Sequence, residues 1–365
     1  MAKLVSDVPV NRIRIANNQP VNADAQFVLY WMIANRRAHW NFSLDRAVDW
    51  AEHLGLPLVI FEALRSDYRW ASDRIHQFVI DGMRDNDRNF SQTAAHYYPY
   101  LEPQHGDGRG ALKALSAKAA VVVSDDFPCF FLPHMVQAAV KQIPCRFELV
   151  DSNGLFPMRA TDKVFQRAFD FRRHLQKQLL PHLLEAPAPN RLKQANLQKF
   201  ATLPESFEKK WPRAQLDAIE LNRFPIDHSV SVVGGERGGS KNANDALTTF
   251  MNERLSRYGE DRNQPQIKAA SELSAYLHFG HLSVHQIFDA VVTHEKWNPG
   301  MTSQKANGSS SGWWGVSETA ESFLDELITW RELGYNRCAL TDDFDQFESL
   351  PNWAGNSLRT RIRQT

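Results

Sequence analysis

The sequence is poor in cysteine and has no excess of charge of either sign. Its 365 residues include three cysteines, Cys129, Cys145 and Cys338, which are widely spaced and form no Cys-x-x-Cys pair. A disulfide scaffold or a cysteine-rich zinc site needs more, or closer, cysteines, so both are excluded and a reducing cytosol is favoured. Lys plus Arg and Asp plus Glu both total 42. The resulting net charge of zero excludes a globally basic nucleic-acid binder and leaves room for a local basic face.

Long hydrophobic runs and several familiar motifs are also absent. No apolar run approaches the ~18 residues of a membrane span, and the N-terminal residues have no apolar signal core. The sequence contains no HExxH, no GxSxG, and no GxGxxG after its first strand. We therefore expect a cytoplasmic protein without a membrane partner. Aromatic residues, by contrast, reach 11% and include ten tryptophans.

The first 150 residues alternate between short apolar runs and amphipathic segments. This rhythm predicts a parallel sheet covered by helices on both faces, a Rossmann-like α/β domain. A helix is expected over 41–54, stopped by Gly55, and another from Asp73 to about Asn89. The predicted strands are Phe27–Ile33, Leu58–Phe61, Tyr97–Leu101, Ala119–Val123 and Arg146–Val150.

After Asp151 the strand rhythm ends and helical patterns dominate. Pro157–Leu184 reads as one long, basic helix, and Pro187 and Pro189 mark a connector. The predicted organisation is an α/β domain over 1–155, a basic helical connector over 156–195, and an all-α domain over 196–365. The Gly/Ser/Asn-rich stretch 298–312 predicts a surface loop.

A glycine-rich stretch, Val233–Lys241, is the first candidate for a binding site. In a P-loop the lysine precedes the hydroxyl residue, whereas here Ser240 precedes Lys241, so a nucleotide-triphosphate loop is disfavoured. A flexible loop before a helix is the favoured interpretation. A loop beside a phosphate-bearing ligand is the remaining alternative.

Two further segments combine residue types that suit a ligand. In ASELSAYLHFGHLS, Ser271 and Ser274 precede an aromatic run, and their hydroxyls suit either a pyrophosphate or an ordinary helix N-cap. In FLDELITWRELGYN, Glu326 and Trp330 lie four residues apart on a predicted helix, with Arg331 next. A carboxylate beside an indole suits a polarised aromatic ligand, and a surface ion pair next to a core tryptophan is equally compatible.

A basic stripe and a histidine cluster have simpler explanations. The segment Arg159–Pro181 carries six basic residues, which suits nucleic-acid phosphates or, more commonly, a solvated helix face. His281 and His285 have the spacing of helical metal ligands, but no acidic residue or cysteine lies near them in sequence. We therefore favour ordinary core histidines.

Five segments, in order along the chain, resemble the photolyase/cryptochrome family. ASELSAYLHFGHLS resembles its flavin-phosphate motif, and FLDELITWREL resembles its next signature. FVLYWMIANRRAHWNFSLDRAVDWAEHLGLPLVIFEAL, WASDRIHQFVIDGM and LVDSNGLFPMR are similar to class II cyclobutane pyrimidine dimer photolyases. The resemblance extends from about Asn11 to Trp353.

The resemblance implies a cofactor, a substrate and a mechanism. A helical C-terminal domain would hold folded FAD and receive damaged DNA, and the α/β domain would hold an antenna pigment of folate or deazaflavin type, if any. Reduced FAD would pass an electron to a pyrimidine dimer flipped out of the duplex, a carbon–carbon lyase reaction that repairs DNA. We expect a monomer.

The resemblance also assigns roles to individual residues. Tyr258 would begin the flavin site, and Arg331 would lie beside the flavin. Glu326 would contact the base edge of the dimer and Trp330 would stack on it. The FAD phosphates would be bound by Ser271, Leu273 and Ser274.

The chain departs from the family pattern in two places. Ala270 stands where the family has a small hydroxyl residue, and the chain stops before the family's last helices, so we expect a truncated FAD-binding domain. The alternatives are a cryptochrome-like flavin photosensor, a repair-inactive truncated photolyase, and an unrelated helical nucleic-acid-binding module without flavin.

Overall fold

The computed structural model describes residues 4–362, with side chains described through residue 358. It contains a six-stranded sheet flanked by helices, followed by a helical region. The strands are β1 (Ile13–Ile15), β2 (Phe27–Met32), β3 (Leu58–Leu64), β4 (His96–Leu101), β5 (Ala119–Asp125) and β6 (Arg146–Val150). The helices are α1 (Phe42–Leu54), α2 (Asp73–Ser91), α3 (Ala111–Ser116), α4 (Leu132–Val140), α5 (Ala168–Gln178), α6 (Arg191–Gln194), α7 (Glu205–Lys210), α8 (Ser240–Thr249), α9 (Tyr258–Asp261), α10 (Ser274–His278), α11 (Val284–His294), α12 (Glu318–Leu324), α13 (Arg331–Leu340) and α14 (Asn352–Ile362).

The sheet has the order β1-β6-β5-β2-β3-β4, and all neighbours are parallel except β1, which runs antiparallel to β6. The predicted Rossmann-like sheet and its five strands are confirmed. β1 is an additional edge strand of three residues. From β2 the chain winds outward to β4 and then returns to the other side of β2 with β5. The crevice between β2 and β5, at the carboxyl ends of the strands, is therefore a topological switch point, where ligands bind in such sheets.

The sequence signals at the ends of α1 act as predicted. The side chain of Asn41 accepts hydrogen bonds from the backbone N–H groups of Ser43 and Leu44. Gly55 ends the helix in the left-handed conformation at φ 64°, which costs glycine no Cβ clash. α1 buries its apolar face against the sheet through Leu44, Ala47 and Val48.

The predicted long helix Pro157–Leu184 is wrong. The structure has a 3-10 turn at Met158–Ala160, an irregular stretch, α5, and a second 3-10 turn at Leu180–Leu184. The irregular stretch is bound by Asn336 of α13, whose side chain accepts from Phe165 N at 3.0 Å and donates to Lys163 O at 2.9 Å. These backbone groups are therefore satisfied by α13 instead of by helical hydrogen bonds.

The helical region has its own core, centred on Phe250, Phe323 and Leu324, and α5 packs into it through Phe171 and Leu175. Residues beyond the basic connector return to the α/β region: Leu203, Phe207 and Trp211 pack with the strands of the sheet. The boundaries drawn at residues 155 and 195 remain predictions.

Buried polar contacts hold the two regions together. The Arg12 guanidinium, fully buried, donates to the carbonyls of Gly154 and Leu155 at 3.1 and 2.8 Å. Arg37 donates to Gly280 O at 3.1 Å. Gly280 has φ 73°, and a Cβ there would lie 1.8 Å from Ala34 O, so only glycine permits this close approach. Within residues 4–362 no helix is long and apolar enough to cross a membrane.

Candidate functional site

The segment that carries Glu326 and Trp330 is a π-helical turn inside a longer helix. α12 begins after Ser317, whose hydroxyl accepts from Ala320 N at 3.3 Å. The chain then makes a π turn over Asp325–Trp330 and continues as α13. The expected single α-helix is therefore interrupted at the predicted site. Such π turns are rare and are often found at functional sites.

Glu326 belongs to a small polar cluster with Arg262 and Tyr258, which we call the Glu326 cluster. Its carboxylate forms an ion pair with the Arg262 guanidinium at 3.0 Å. The same guanidinium lies 5.4 Å from the centre of the Tyr258 ring. Both ionic groups are partly exposed, so the pair adds little stability and leaves the carboxylate open to a ligand. Two predicted site residues, Tyr258 and Glu326, are thus brought together.

Packing of aromatic rings fixes the Tyr258 side of this cluster. The Tyr258 ring meets Phe250 and Phe323 edge to face, at 5.7 and 5.2 Å between centroids. Burial raises the pKa of the Tyr258 hydroxyl, so this group stays protonated as a hydrogen-bond donor at neutral pH. Phe250 begins a second π turn, Phe250–Arg254, which places a second irregular turn beside the site.

Trp330 is exposed to solvent over 51% of its surface. Large aromatic side chains are usually buried. The three preceding residues of the π turn, at positions 327–329, are themselves buried. Its position four residues after Glu326 places an available indole near a carboxylate. The alternative of a core tryptophan is therefore wrong.

The serine segment lies on a neighbouring loop and does not form the predicted N-cap. The Ser271 hydroxyl accepts from Leu273 N at 3.4 Å, and Leu273 itself is buried in the helical core. α10 begins at Ser274, which is exposed, and its N-cap position is Leu273, which offers no capping oxygen. Both serine hydroxyls therefore remain free of a helix-capping role.

Arg254 connects the serine segment to the aromatic cluster. Its guanidinium donates to Ala270 O at 3.2 Å and pairs with Glu272 at 2.6 Å. Arg254 also ends the π turn that starts at Phe250, whose ring contacts Phe323 at 4.5 Å. In the part of the chain that the structure describes, no direct contact joins Ser274 to Glu326 or Trp330.

Arg331 lies at the contact with the α/β region. Its guanidinium donates to Asn153 O at 2.7 Å and to the Tyr335 hydroxyl at 3.0 Å. The next residue, Glu332, is buried and accepts from Leu155 N and Phe156 N at 2.7 and 3.1 Å. Burial raises the pKa of Glu332 to about 7. The Trp-Arg-Glu signature thus also ties the site helix to the chain that leaves β6; a flavin contact for Arg331 stays a prediction.

The end of the glycine-rich stretch donates N–H groups to other side chains of the protein. Gly238 N donates to Asp81 at 3.3 Å, Gly239 N to His281 at 2.9 Å, and Lys241 N to Asp85 at 2.8 Å. These three N–H groups are therefore used within the protein. The stretch lies before α8, as the favoured interpretation expects, and a phosphate-bearing ligand beside its first residues stays a prediction.

The histidines and the basic stripe also have structural roles. His281 and His285 are buried, and burial lowers the pKa of His281 to about 3. No group of three metal-binding side chains occurs among the described residues. In the stripe, Arg159 pairs with Asp126 and Arg172 pairs with Asp325, so these two arginines are not free for phosphates.

A second site, which the sequence reasoning missed, lies at the topological switch point of the sheet. A cavity of about 650 Å³ opens at the carboxyl ends of β2, β3 and β4. It is lined by aromatic side chains of the strands and of the loops after them, among them Trp31, Phe61, Tyr68, Tyr100 and Phe131. Cationic side chains, including Arg36 and Arg65, stand among them. His278 and Phe279 of the helical region complete the wall, so the cavity meets the end of α10.

Comparisons with known proteins agree on one family. No family model matches the chain. The deoxyribodipyrimidine photo-lyases of Methanothermobacter thermautotrophicus and Arabidopsis thaliana are each 27% identical, over 97% and 98% of this chain and 71% and 68% of their own lengths. That of Potorous tridactylus is 25% identical over 96% of this chain and 61% of its own length.

Solved structures show the same fold. A bacterial class III photolyase from Agrobacterium tumefaciens covers 90% of this chain with a TM-score of 0.62 and 16% identity. A Synechocystis cryptochrome covers 86% with a TM-score of 0.58 and 15% identity. The chain spans 64% and 61% of the lengths of these two proteins, so it is shorter than the proteins it matches, as the resemblance implied.

Proposed function

We propose that the chain, which is similar in sequence to deoxyribodipyrimidine photo-lyases and in fold to a photolyase and a cryptochrome, is a light-driven repair enzyme for cyclobutane pyrimidine dimers, of the class II type. The observation that carries the proposal is the pairing of a half-exposed Trp330 with a ligand-accessible Glu326 in one π turn. A photosensor that signals only through its flavin has no need of this pair. A repair enzyme needs both, one to stack on an extruded dimer and one to bind its edge.

The residues present fit FAD in part. The Ser274 hydroxyl is exposed, and the Ser271 hydroxyl, which accepts from Leu273 N, can still donate to a diphosphate; Arg254 stands beside them, although Glu272 already neutralises it. Reduced FAD, when bound, would supply the electron that splits the dimer. The fit is limited on the solvent side, because residues 263–268 are all exposed and no described segment covers them.

The roles of the chain's own side chains follow from the Glu326 cluster. The Arg262 guanidinium orients the Glu326 carboxylate, whose oxygens would accept hydrogen bonds from the N–H groups of a pyrimidine. The Trp330 indole offers a flat face to the extruded bases. The Tyr258 ring packs against Phe250 and Phe323 and contacts the Arg262 guanidinium, which limits the positions that Arg262 can take.

Light-dependent repair of a dimer-containing oligonucleotide by the FAD-reconstituted chain tests this function. Glu326→Ala should lower the repair yield without changing flavin content, because the carboxylate faces the dimer and not the cofactor phosphates. Glu318→Gln, a change of an exposed carboxylate in α12 of the same long helix, is the matched control and should leave the yield unchanged. A protein that binds FAD and shows photoreduction without repair would instead be a cryptochrome-like sensor.

We also propose that the switch-point cavity holds the antenna pigment, of folate or deazaflavin type. Its volume and its aromatic walls suit a planar fused-ring molecule. Arg36 and Arg65 in the wall already pair with Glu62 and Asp67, so the aromatic walls carry the assignment. Titration with a folate and with a deazaflavin, followed by fluorescence, tests this assignment. Ala138→Trp, at the exposed rim of the cavity, should abolish binding, whereas Gln137→Trp beside it should not.

A further inference from the structure

Two of the three cysteines meet where the α/β region contacts the helical region. Cys129 lies in the loop between β5 and α4, and Cys338 lies in α13. Their side chains interact with each other. The contact is reinforced beside them, because the Phe127 ring meets the Tyr335 ring edge to face at 5.6 Å. These residues are 209 positions apart in sequence and are brought together only by the fold.

The two thiols differ from Cys145 in accessibility. Cys129 and Cys338 are partly exposed, whereas Cys145 is buried and lies 3.6 Å from the Ser116 carbonyl oxygen. A small oxidant in solvent therefore reaches the first two and not the third. Cys145 serves as an internal reference for a chemical test.

The surroundings of Cys129 and Cys338 shift the pKa values of the two thiols in opposite directions. Interaction with Cys129 lowers the pKa of Cys338, whereas interaction with Cys338 and burial raise the pKa of Cys129. Cys338 is thus the more acidic of the two thiols, and the more acidic thiol of a pair is the one that attacks an oxidant first.

We propose that Cys129 and Cys338 form a reversible disulfide between the two regions when the protein meets hydrogen peroxide. The Cys338 thiolate attacks one peroxide oxygen, the O–O bond breaks, and the leaving hydroxide takes a proton to become water, which leaves Cys338 as a sulfenic acid. Cys129 then attacks that sulfur, the S–S bond forms, and the S–O bond breaks with release of a second water. The two thiols lose two electrons and the peroxide gains them.

The disulfide would link the two sites described above. The Cys129 loop supplies Phe127, Phe130 and Phe131 to the wall of the cavity. Phe130 in this loop has φ 60° and packs edge to face on Trp70 at 5.8 Å, both at the surface. α13 continues directly from the π turn of Glu326 and Trp330. Oxidation would therefore fix the cavity wall to the helix that carries the proposed dimer-binding residues.

Thiol titration in denaturant, before and after hydrogen peroxide treatment of the full chain, tests the proposal. The untreated protein should give three thiols and the treated protein one, with all three restored by dithiothreitol. Peptide mass spectrometry should show Cys129 joined to Cys338 with loss of two hydrogens. In Cys129→Ser, peroxide should leave a sulfenic acid on Cys338 that dimedone traps, whereas Cys145→Ser should still form the disulfide.

The thermal unfolding midpoint provides an independent readout, because the bond closes a loop of about 200 residues in the unfolded chain. Oxidation should raise the midpoint of the wild type and leave that of Cys129→Ser unchanged. Three remaining thiols after peroxide, a bridge that includes Cys145, or a bridge between two chains would each overturn the proposal. So would trapping of a sulfenic acid on Cys338 in the wild type without any disulfide.

Discussion

Replacement of Trp330 by alanine should weaken binding of dimer-containing DNA far more than binding of intact DNA. The indole is 51% exposed, so its removal should change the free energy of unfolding by no more than about 0.5 kcal/mol. Stacking of a base on an aromatic side chain contributes ~1–3 kcal/mol, which corresponds to roughly 5- to 150-fold in the dissociation constant. Intact DNA, whose bases stay stacked in the duplex, should lose little.

Fluorescence anisotropy with one labelled duplex, with and without a single dimer, measures both constants on the same protein. Trp353→Ala is the matched control, because Trp353 is 77% exposed and lies in α14, outside the Glu326 cluster. Equal losses for damaged and intact DNA would refute the stacking role. A loss for Trp330→Ala no larger than for Trp353→Ala would refute it as well.

Three further outcomes test the structure around the site. Gly280→Ala should lower the thermal unfolding midpoint sharply, because the added Cβ would lie 1.8 Å from Ala34 O. Gly334→Ala is the control and should raise the midpoint slightly, because Gly334 lies on α13 with open space around it. Equal midpoints for the two variants would contradict the close approach at Gly280. Glu332→Gln should gain stability relative to the wild type as pH rises from about 5 to 7, because the wild-type carboxyl is ionised in the unfolded chain over that range while the buried one, with pKa about 7, still holds its proton, so the wild type loses stability; urea titrations in which the difference between the two proteins is constant with pH would contradict it. FAD should be lost on gel filtration, since the residues proposed to bind its phosphates follow an exposed stretch, 263–268, that offers no buried contact, and a retained one-to-one complex measured by absorbance would contradict this.

The sheet could be read from the sequence because its strands are buried on both faces. All residues of β2 and β5 are buried, so the sequences of these strands contain continuous apolar runs, which are bounded by turns. β1 could not be read in this way, since it is a three-residue edge strand with an exposed Arg14 and Ile15. Its pairing with β6 depends on the completed sheet.

The site was predictable in residue type and only partly in geometry. Helical spacing gave Glu326 and Trp330 a common face, but the π turn and the ion pair with Arg262 come from tertiary packing. The break in the predicted helix Pro157–Leu184 arises from Asn336, more than 150 residues away. The local sequence of Pro157–Leu184 cannot predict a contact with a residue so far away. The switch-point cavity follows from strand order, which the positions of the strands in sequence do not determine.

The most direct test of the central claim is a comparison of light-driven dimer loss in the FAD-reconstituted wild type, Glu326→Ala and Glu318→Gln. Repair should need light, fall strongly in Glu326→Ala at equal flavin content, and be unchanged in Glu318→Gln. Equal repair by all three proteins, or dimer loss that continues in the dark, would contradict it.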